Sequence, residues 1–592
     1  MSLAEKVMCE TSSSGGLLLI FVAAVSLICS SCSGNGVAGT SSGSGPGNPS
    51  APSAPSTPGP AVAVTISGPA AVLAGQTATF TSNVQNTSNT AVTWEPSSLI
   101  TPTGVFTAPT FPTSDGIMWV TAISQADPTK FAEVPVTIQF SNVSLEGSFA
   151  FSLNGNSANA PFSAAGTFQM DGNGNISGGA EDVNGSAGVL SNMSLSGTYN
   201  VGPDGRGTAT ITSSRGTDHY RFVITDGPQL QLIGFDPGVS VHGVASFQYS
   251  TPLNLSAIAG NWSFFLSGWS SGKPVAQAGR FSLDSAGNIT QGIIDSDTAG
   301  TVVSGAAFTG SVSNISSTGR GTASFIGALG TSNFVFDVGP PGTIYLVGTD
   351  SGIFLSGSAY QQQIATYSSS SLSGSYTFLL TGSDNSGAPA AQAGELNANG
   401  SGLITSGLFD VNDNGAALLQ QPLSGVYIVS ANGRGIATLS SPRGTASYAF
   451  YLLSQNRAVV LETDGFDVMQ GFATLQTSVA VSGNLGFTSF GGSPSGGSET
   501  IGRAAVDVSG HFTGGVEDIV QAGTLIPDLP VSLSYQANAP GRGTAQFATS
   551  NGTSNFVFYT LAPSEYVYLG VDPSGVLAGS FMLQSSLGYW DY

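Results

Sequence analysis

Four of the chain's ten arginines occupy one recurring pentapeptide: GRGTA at 205–209, 319–323 and 541–545, and GRGIA at 433–437. Each arginine (Arg206, Arg320, Arg434, Arg542) follows an aspartate by 24 or 25 residues: Asp182, Asp295, Asp410 and Asp518. Each precedes another aspartate by 30: Asp236, Asp350, Asp464 and Asp572. A guanidinium fork takes one or two carboxylates in paired hydrogen bonds. The spacing therefore predicts an Asp–Arg–Asp cluster at one end of each copy, such as Asp182–Arg206–Asp236, holding the third, fifth and seventh strands in register. The alternative is a four-fold binding site in which the same groups grip a sugar or a peptide carboxylate. The flanking glycines suit a tight turn at positive φ or a close backbone approach. Structure is favoured over binding, because duplicated sites drift while fold devices persist.

Other motifs carry less chemistry. GWSSG at 268–272 matches a nucleophile elbow by letters, but Ser270 lies in a loop of one copy, where a strand-to-helix turn would be needed. His219, His242 and His511 fall at different places in their copies and lack the spacing of metal ligands. DGNGNISGGAED at 171–182 has the alternating oxygens of a calcium loop. Its equivalents DSAGN, NANGSG and DVSGH do not keep them, so it reads as turn chemistry. Trp262 shares a column with Phe149 and Tyr376 and belongs to a core, whereas Trp269 is placed at a loop tip, free to touch a partner. The sequence thus offers no catalytic residue, no metal site and no cofactor, and an enzyme is not expected.

The elements behind these residues repeat. EGSFAFSL, AGNWSFFL, SGSYTFLL and SGNLGFTS align on Gly147, Gly260, Gly374 and Gly483, giving a period of about 110 residues. Gly243, Gly357, Gly471 and Gly579 form another column, seven residues after each second acid. Alternating β-branched and aromatic residues with short Gly/Asn/Asp/Ser turns predict eight antiparallel strands per copy. In the first copy these are 147–153, 164–170, 175–183, 194–201, 207–213, 219–225, 229–235 and 241–249. Such a meander closes into an up-and-down barrel or folds over as a sandwich. Closure is favoured, because the chain lacks the lysines that protect open edges. The G-x-aromatic opening faintly resembles the first strand of avidin-like and lipocalin-like barrels. The repeat domains are placed at 145–250, 255–365, 370–478 and 480–588.

Ahead of them, residues 62–140 alternate as short strands, seven in all, around Trp94. VTW at Trp94, GVFTAP at 104–109 and VTAISQADPTK at 120–130 resemble bacterial Ig-like domains of the group 2 type. That resemblance implies a β-sandwich stalk or adhesive module. All three cysteines, Cys9, Cys29 and Cys32, lie within the first 32 residues, so no disulfide forms in the rest of the chain. The run Leu17–Cys29 has the length of a signal-peptide core, shorter than a bilayer span. Ser30 and Ser31 before Cys32 resemble the lipobox of bacterial lipoproteins, which implies lipidation of Cys32; an ordinary secretory signal is the alternative. Residues 33–61, rich first in Gly/Ser and then in Pro/Ser, read as a tether.

The net charge of −21 leaves no basic face for nucleic acid. The expectation is an exported surface protein at the cell envelope, held at the outer membrane by a lipid, with a structural or adhesive role. Its partners would be a surface polysaccharide or another cell-surface protein. The alternative is a carbohydrate- or small-molecule-binding protein using barrel mouths. An open interior with inward polar groups would favour that alternative, and a barrel filled by aromatics would count against it.

Overall fold

The computed structural model describes residues 60–113, 116–157, 160–227, 229–248, 253–313, 315–477, 482–493, 496–507, 509–538, 541–562 and 565–584. The segment read as a signal peptide, with Cys32, and nearly all of the stretch read as a tether lie outside these residues.

From Gly147 onward the chain builds four tandem closed barrels of eight antiparallel strands, each with its eighth strand paired back to its first. The sandwich alternative is thereby excluded. In the first barrel the strands are Gly147–Ser157, Ala160–Met170, Asn175–Gly185, Gly188–Val201, Arg206–Ser213, Gly216–Thr225, Gln229–Gly234 and Val239–Phe247. The others run from Gly260–Ser270 to Ile353–Gln361, from Ser373–Asp384 to Asp467–Leu475, and from Gly483–Ser493 to Val576–Leu583. Several strands are longer than the sequence pattern suggests. The ends Asn154–Ser157 and Gly188–Leu190, expected as loops, are paired strand.

The glycine column on the eighth strand explains the closure. A Cβ at Gly243, Gly357, Gly471 or Gly579 would lie 1.9–2.0 Å from a first-strand carbonyl oxygen, of Ser152, Phe265, Leu379 and Thr488 respectively. Only glycine lets the two strands meet there. The recurring pentapeptide has an equally local cause. Its first glycine takes positive φ at the turn, as in Gly205 (φ 81), Gly319 (φ 94) and Gly433 (φ 87). Its second lies under a sixth-strand ring: a Cβ on Gly207, Gly321, Gly435 or Gly543 would be 2.1–2.4 Å from Phe222, Phe336, Phe450 or Phe558. The barrel interiors are packed with such rings, Phe149, Phe151, Phe168 and Phe222 in the first and Trp262, Phe264, Phe325 and Phe334 in the second.

The barrels touch in a fixed sense: the first three strands of one meet the last three of the next, and the first two strands of the fourth meet the last three of the first. The seams are apolar. Ala150 and Ala165 pack on Tyr345 and Val347, and Ala276 and Ala278 on Tyr451, Val459 and Leu461. Ala391 and Ala393 pack on Val557, Tyr559 and Leu569, and the last seam sets Ile501 and Val520 on Val223 and Ile233. This is the geometry of a heterologous interface whose series closes after four members.

The N-terminal module has eight strands, one more than expected, because the segment at 76–84 breaks at buried Phe80 into Thr77–Thr79 and Thr81–Gln85. A four-stranded sheet (Ala71–Leu73, Phe131–Gln139, Ile117–Ser124, Val92–Glu95) and two two-stranded sheets enclose Trp94, Phe80, Phe106, Val120 and Val136.

Candidate functional site

The repeated arginines bind neither of the two repeat-column aspartates of their own barrel. Arg320 grips Asp182 of the preceding barrel through Nε (2.6 Å) and Nη2 (2.7 Å). Arg434 does the same to Asp295 (2.8 and 2.6 Å), and Arg542 to Asp410 (2.8 and 2.9 Å). Arg206 of the first barrel reaches Asp518 of the fourth, 3.2 Å from Nη1. All four lie across seams, and all four aspartates are essentially buried. The expected Asp182–Arg206–Asp236 cluster is therefore replaced. Within one barrel the third-strand acid faces the next barrel, while the fifth-strand arginine faces the previous one.

Each aspartate is prepared by its own barrel before the arginine arrives. The pairing of the third and fourth strands slips at Asp182, Asp295, Asp410 and Asp518, a bulge in all four copies. Opposite it stands a residue at positive φ: Asn192, Gly305, Gln420 or Asp528. Its backbone N–H donates to the carboxylate at 2.7–2.9 Å. In two seams a sixth-strand tyrosine paired with the arginine donates as well, Tyr451 to Asp295 and Tyr559 to Asp410, both at 2.5 Å. Burial pulls Asp295 upward, but the bonds from Arg434 and Tyr451 outweigh it and hold its carboxyl below the ordinary range.

The other two seams depart from this pattern. Where Tyr451 and Tyr559 stand, the second barrel has Asp337 and the first has Val223. Asp337 is 1 % exposed, and among the described residues neither of its oxygens finds a hydrogen-bond partner. Burial first and the neighbouring Asp182 charge second push it up to about 8, against the pull of Arg320. In the closing seam Arg206 is shared among Asp204 (2.9 Å), Asp518 and Asp528 (3.0 Å). That seam also holds Glu499, which accepts from Ser240 and is raised by burial to about 7, and half-buried His242, its ring stacked 4.2 Å from Phe490 and lowered by desolvation to about 4.

The second acid of each repeat lies elsewhere. Asp236, Asp350 and Asp572 receive the backbone N–H and a side-chain nitrogen of His219, Asn333 and Asn555, at 2.7–2.8 Å. Asp464 instead accepts from Phe466 N in its own turn. These contacts sit four residues along the sixth strand from the partner of the arginine, about 13 Å away. The remaining motifs resolve plainly. Asp171, Asp284, Asn399 and Asp507 all make the same turn, each accepting N–H groups two and four residues on. Ser270 ends a strand that enters a turn. Trp269 lies within that strand and packs against Gly387 of the third barrel, so it is no free loop tip. Trp262 is in the core and donates to Ile258 O. Among the described residues no cluster of His, Cys, Asp and Glu could hold a metal.

A further seam column went unread in the sequence: Gln248, Gln362, Gln476 and Gln584, each five residues after the eighth-strand glycine. Gln248 donates to Thr318 O and Val338 O of the second barrel, and Gln362 to Asn432 O and Leu452 O of the third. Gln476 donates to Thr560 O of the fourth, and Gln584 returns to Asp204 O and Ile224 O of the first (3.1 Å each). The glutamine after the last barrel thus treats the first as its successor. Its fixed offset from the glycine column was the available signal.

The interior of the fourth barrel is open. The fourth holds a cavity of about 290 Å³, against about 20 Å³ in the first. Register shows why. Ser489 stands where the others have Leu153, Leu266 and Leu380, and Ser498 where they have Phe162, Val275 and Ala390. Glu517 points into this space beside Phe487, Phe547, Phe556 and Tyr568. It is 6 % exposed, and among the described residues it accepts no hydrogen bond. Burial, then the charge of Asp518, raises it to about 7.

No protein-family model matches the sequence, and no curated protein matches it. Among solved structures, one of a putative AttH from Nitrosomonas europaea aligns over 57% of this chain and 97% of its own, at 8% identity and a TM-score of 0.15. A likeness of that degree carries no argument about this chain.

Proposed function

We propose that this chain is an exported surface protein, lipid-anchored at Cys32, whose tether and Ig-like module carry the four barrels in a structural or adhesive role. It works at the cell envelope, on the outer membrane, against a surface polysaccharide or another cell-surface protein, and it performs no reaction. One observation carries this reading: the repeated Arg–Asp set is consumed in joining barrel to barrel and is not held open for a ligand. Such joints suit a stiff platform that presents outer faces in fixed relation. The third barrel has the most apolar of these faces. Leu403, Val426, Ile428 and Ile436 are 46–60 % exposed there, at positions where the first barrel has Asn175, Thr198, Asn200 and Thr208. Cells displaying the full chain should aggregate or adhere more than cells displaying Ile428→Asn/Ile436→Thr. Equal adhesion by parent, variant and non-displaying cells would refute the adhesive role. Palmitate labelling lost in Cys32→Ser supports the anchor, and unchanged labelling removes it.

A second reading, small-molecule or carbohydrate binding through a barrel mouth, is favoured by the cavity of the fourth barrel alone.

A further inference from the structure

The first barrel shows what normally occupies the space that the fourth leaves empty. Glu181, 4 % exposed, stands at the position of Glu517, since both face the second-strand glycine, Gly166 or Gly502. Burial raises Glu181, while a hydrogen bond from Ser213 and the charge of Arg215 pull it back. Arg215, from the turn between the fifth and sixth strands, lies 5.2 Å over the Phe162 ring and 2.5 Å from Asp218. The barrel therefore sets its own cation over an aromatic face, paired with Asp218 and close enough to lower the inward acid. The third barrel meets its inward acid differently: Glu462, 3 % exposed, accepts from Gln392 Nε2 at 3.2 Å, and Arg443 stands in the turn where the first barrel has Arg215. The second has Leu329 in that turn and Ile294 at the acid position, so it needs no cation.

The fourth barrel keeps the acid and loses the cation. Asn551 replaces Arg215, Ser498 replaces Phe162 and Ser554 replaces Asp218, and all three line the cavity. No Lys, Arg or His is among the lining residues, while four rings remain. A buried carboxylate lining one cavity together with four aromatic rings is the chemistry that recognises an organic cation. A volume of about 290 Å³ fits a metabolite-sized compound and not a long lipid chain.

We infer that the cavity of the fourth barrel binds a small organic cation, a guanidinium or ammonium compound, whose charged nitrogen pairs with Glu517 near the place that Arg215 occupies in the first barrel. This rests on the reading of a barrel mouth as a binding site and names its ligand class. A neutral sugar would leave Glu517 without an ionic partner, and an anion would meet two carboxylates, Glu517 and Asp572.

The test titrates the full chain with methylguanidinium and n-butylammonium, with glucose as the uncharged control, by calorimetry and by ligand-observed NMR. Saturable binding of the cations is expected, weakened at least about tenfold by Glu517→Gln. Asn551→Arg should abolish it by supplying the cation in cis, and Glu181→Gln should leave it unchanged. Affinity should rise from about pH 6 to about pH 8 as Glu517 ionises. Melting curves of the variants show whether each remains folded. Cation binding indifferent to Glu517→Gln, or lost in Glu181→Gln, overturns the assignment. Glucose binding without cation binding overturns it too, but leaves the barrel-mouth reading standing. Binding of neither removes both.

Discussion

A double-mutant cycle can establish which barrel each arginine serves. Consider Arg542→Met, Asp410→Asn and the pair together. Asp410 is 0 % exposed and receives four hydrogen bonds: two from Arg542, one from Tyr559 Oη and one from Gln420 N. Arg542→Met strands a buried carboxylate with only the last two. Removing one partner of such a pair costs about 3–5 kcal/mol. Asp410→Asn strands the guanidinium, whose side chain is 4 % exposed, at a similar cost. With both removed no charge is stranded, so the double variant should fall short of the sum by about 2–3 kcal/mol. The control cycle pairs Arg542→Met with Asp518→Asn, the acid of its own barrel, which serves Arg206, and should be additive within about 0.5 kcal/mol. Hydrogen exchange is the right assay, because four barrels need not unfold as one unit and the opening energy of the seam strands Pro389–Asn399 and Gly552–Ala562 can be read in the intact chain. Coupling to Asp518 and not Asp410 would refute the inter-barrel clasp. No loss on Arg542→Met would refute its structural role altogether.

Three further outcomes follow from the same geometry. Stability should fall as pH rises from about 5 to about 8: Glu499 (about 7) and Asp337 (about 8) are raised in the folded chain, so it holds protons that the unfolded chain has released. Their stabilisation is complete below the ordinary carboxylate range and lost through the folded values, and Glu499→Gln should flatten the dependence of Tm on pH. Asp337→Tyr places at the first seam the tyrosine found at the second and third, where it can donate to Asp182; Tm should rise, most at alkaline pH, and a fall would show that the ring does not fit. Gly435→Ala sets a methyl 2.1 Å from the Phe450 ring and should cost about 1–3 kcal/mol in urea unfolding, whereas Gly444→Ala, with nothing within 4 Å, should carry only the strain of its φ of 127.

What the sequence disclosed and what it withheld divide along a physical line. Gly207 and its equivalents answer to a ring on the adjacent strand, and Gly243 and its equivalents to a carbonyl across the closure. Such constraints act within one copy, so they recur at fixed spacing and announce the closed barrel. The arginine column was equally visible, but spacing alone does not say in which copy the partner lies. Asp182 is 24 residues from Arg206 and 138 from Arg320, and the chain distance favours the wrong one. The small pairs Ala276/Ala278 and Ala391/Ala393 looked like ordinary strand alternation, because nothing in a single strand distinguishes a face turned to solvent from one turned to another barrel. Polar strand ends such as Asn154–Ser157 read as loops for the same reason.

The repeats also separate device from specialisation. Three of the positions kept in all four copies, the bulged aspartate, the arginine and the glutamine after the last strand, lie on seams, and the same positions join the fourth barrel to the first. Many positions that differ lie inside the barrels or on their free faces. Leu153 becomes Ser489, Phe162 becomes Ser498, and Arg215 becomes Asn551, each change removing bulk or charge from the same mouth. A barrel joined on both sides can lose interior packing and remain in place, because its neighbours hold its third and fifth strands through Asp518–Arg206 and Arg542–Asp410. The closed circuit of seams is thus what permits one member to be hollow, and the hollow member is where ligand chemistry should be sought.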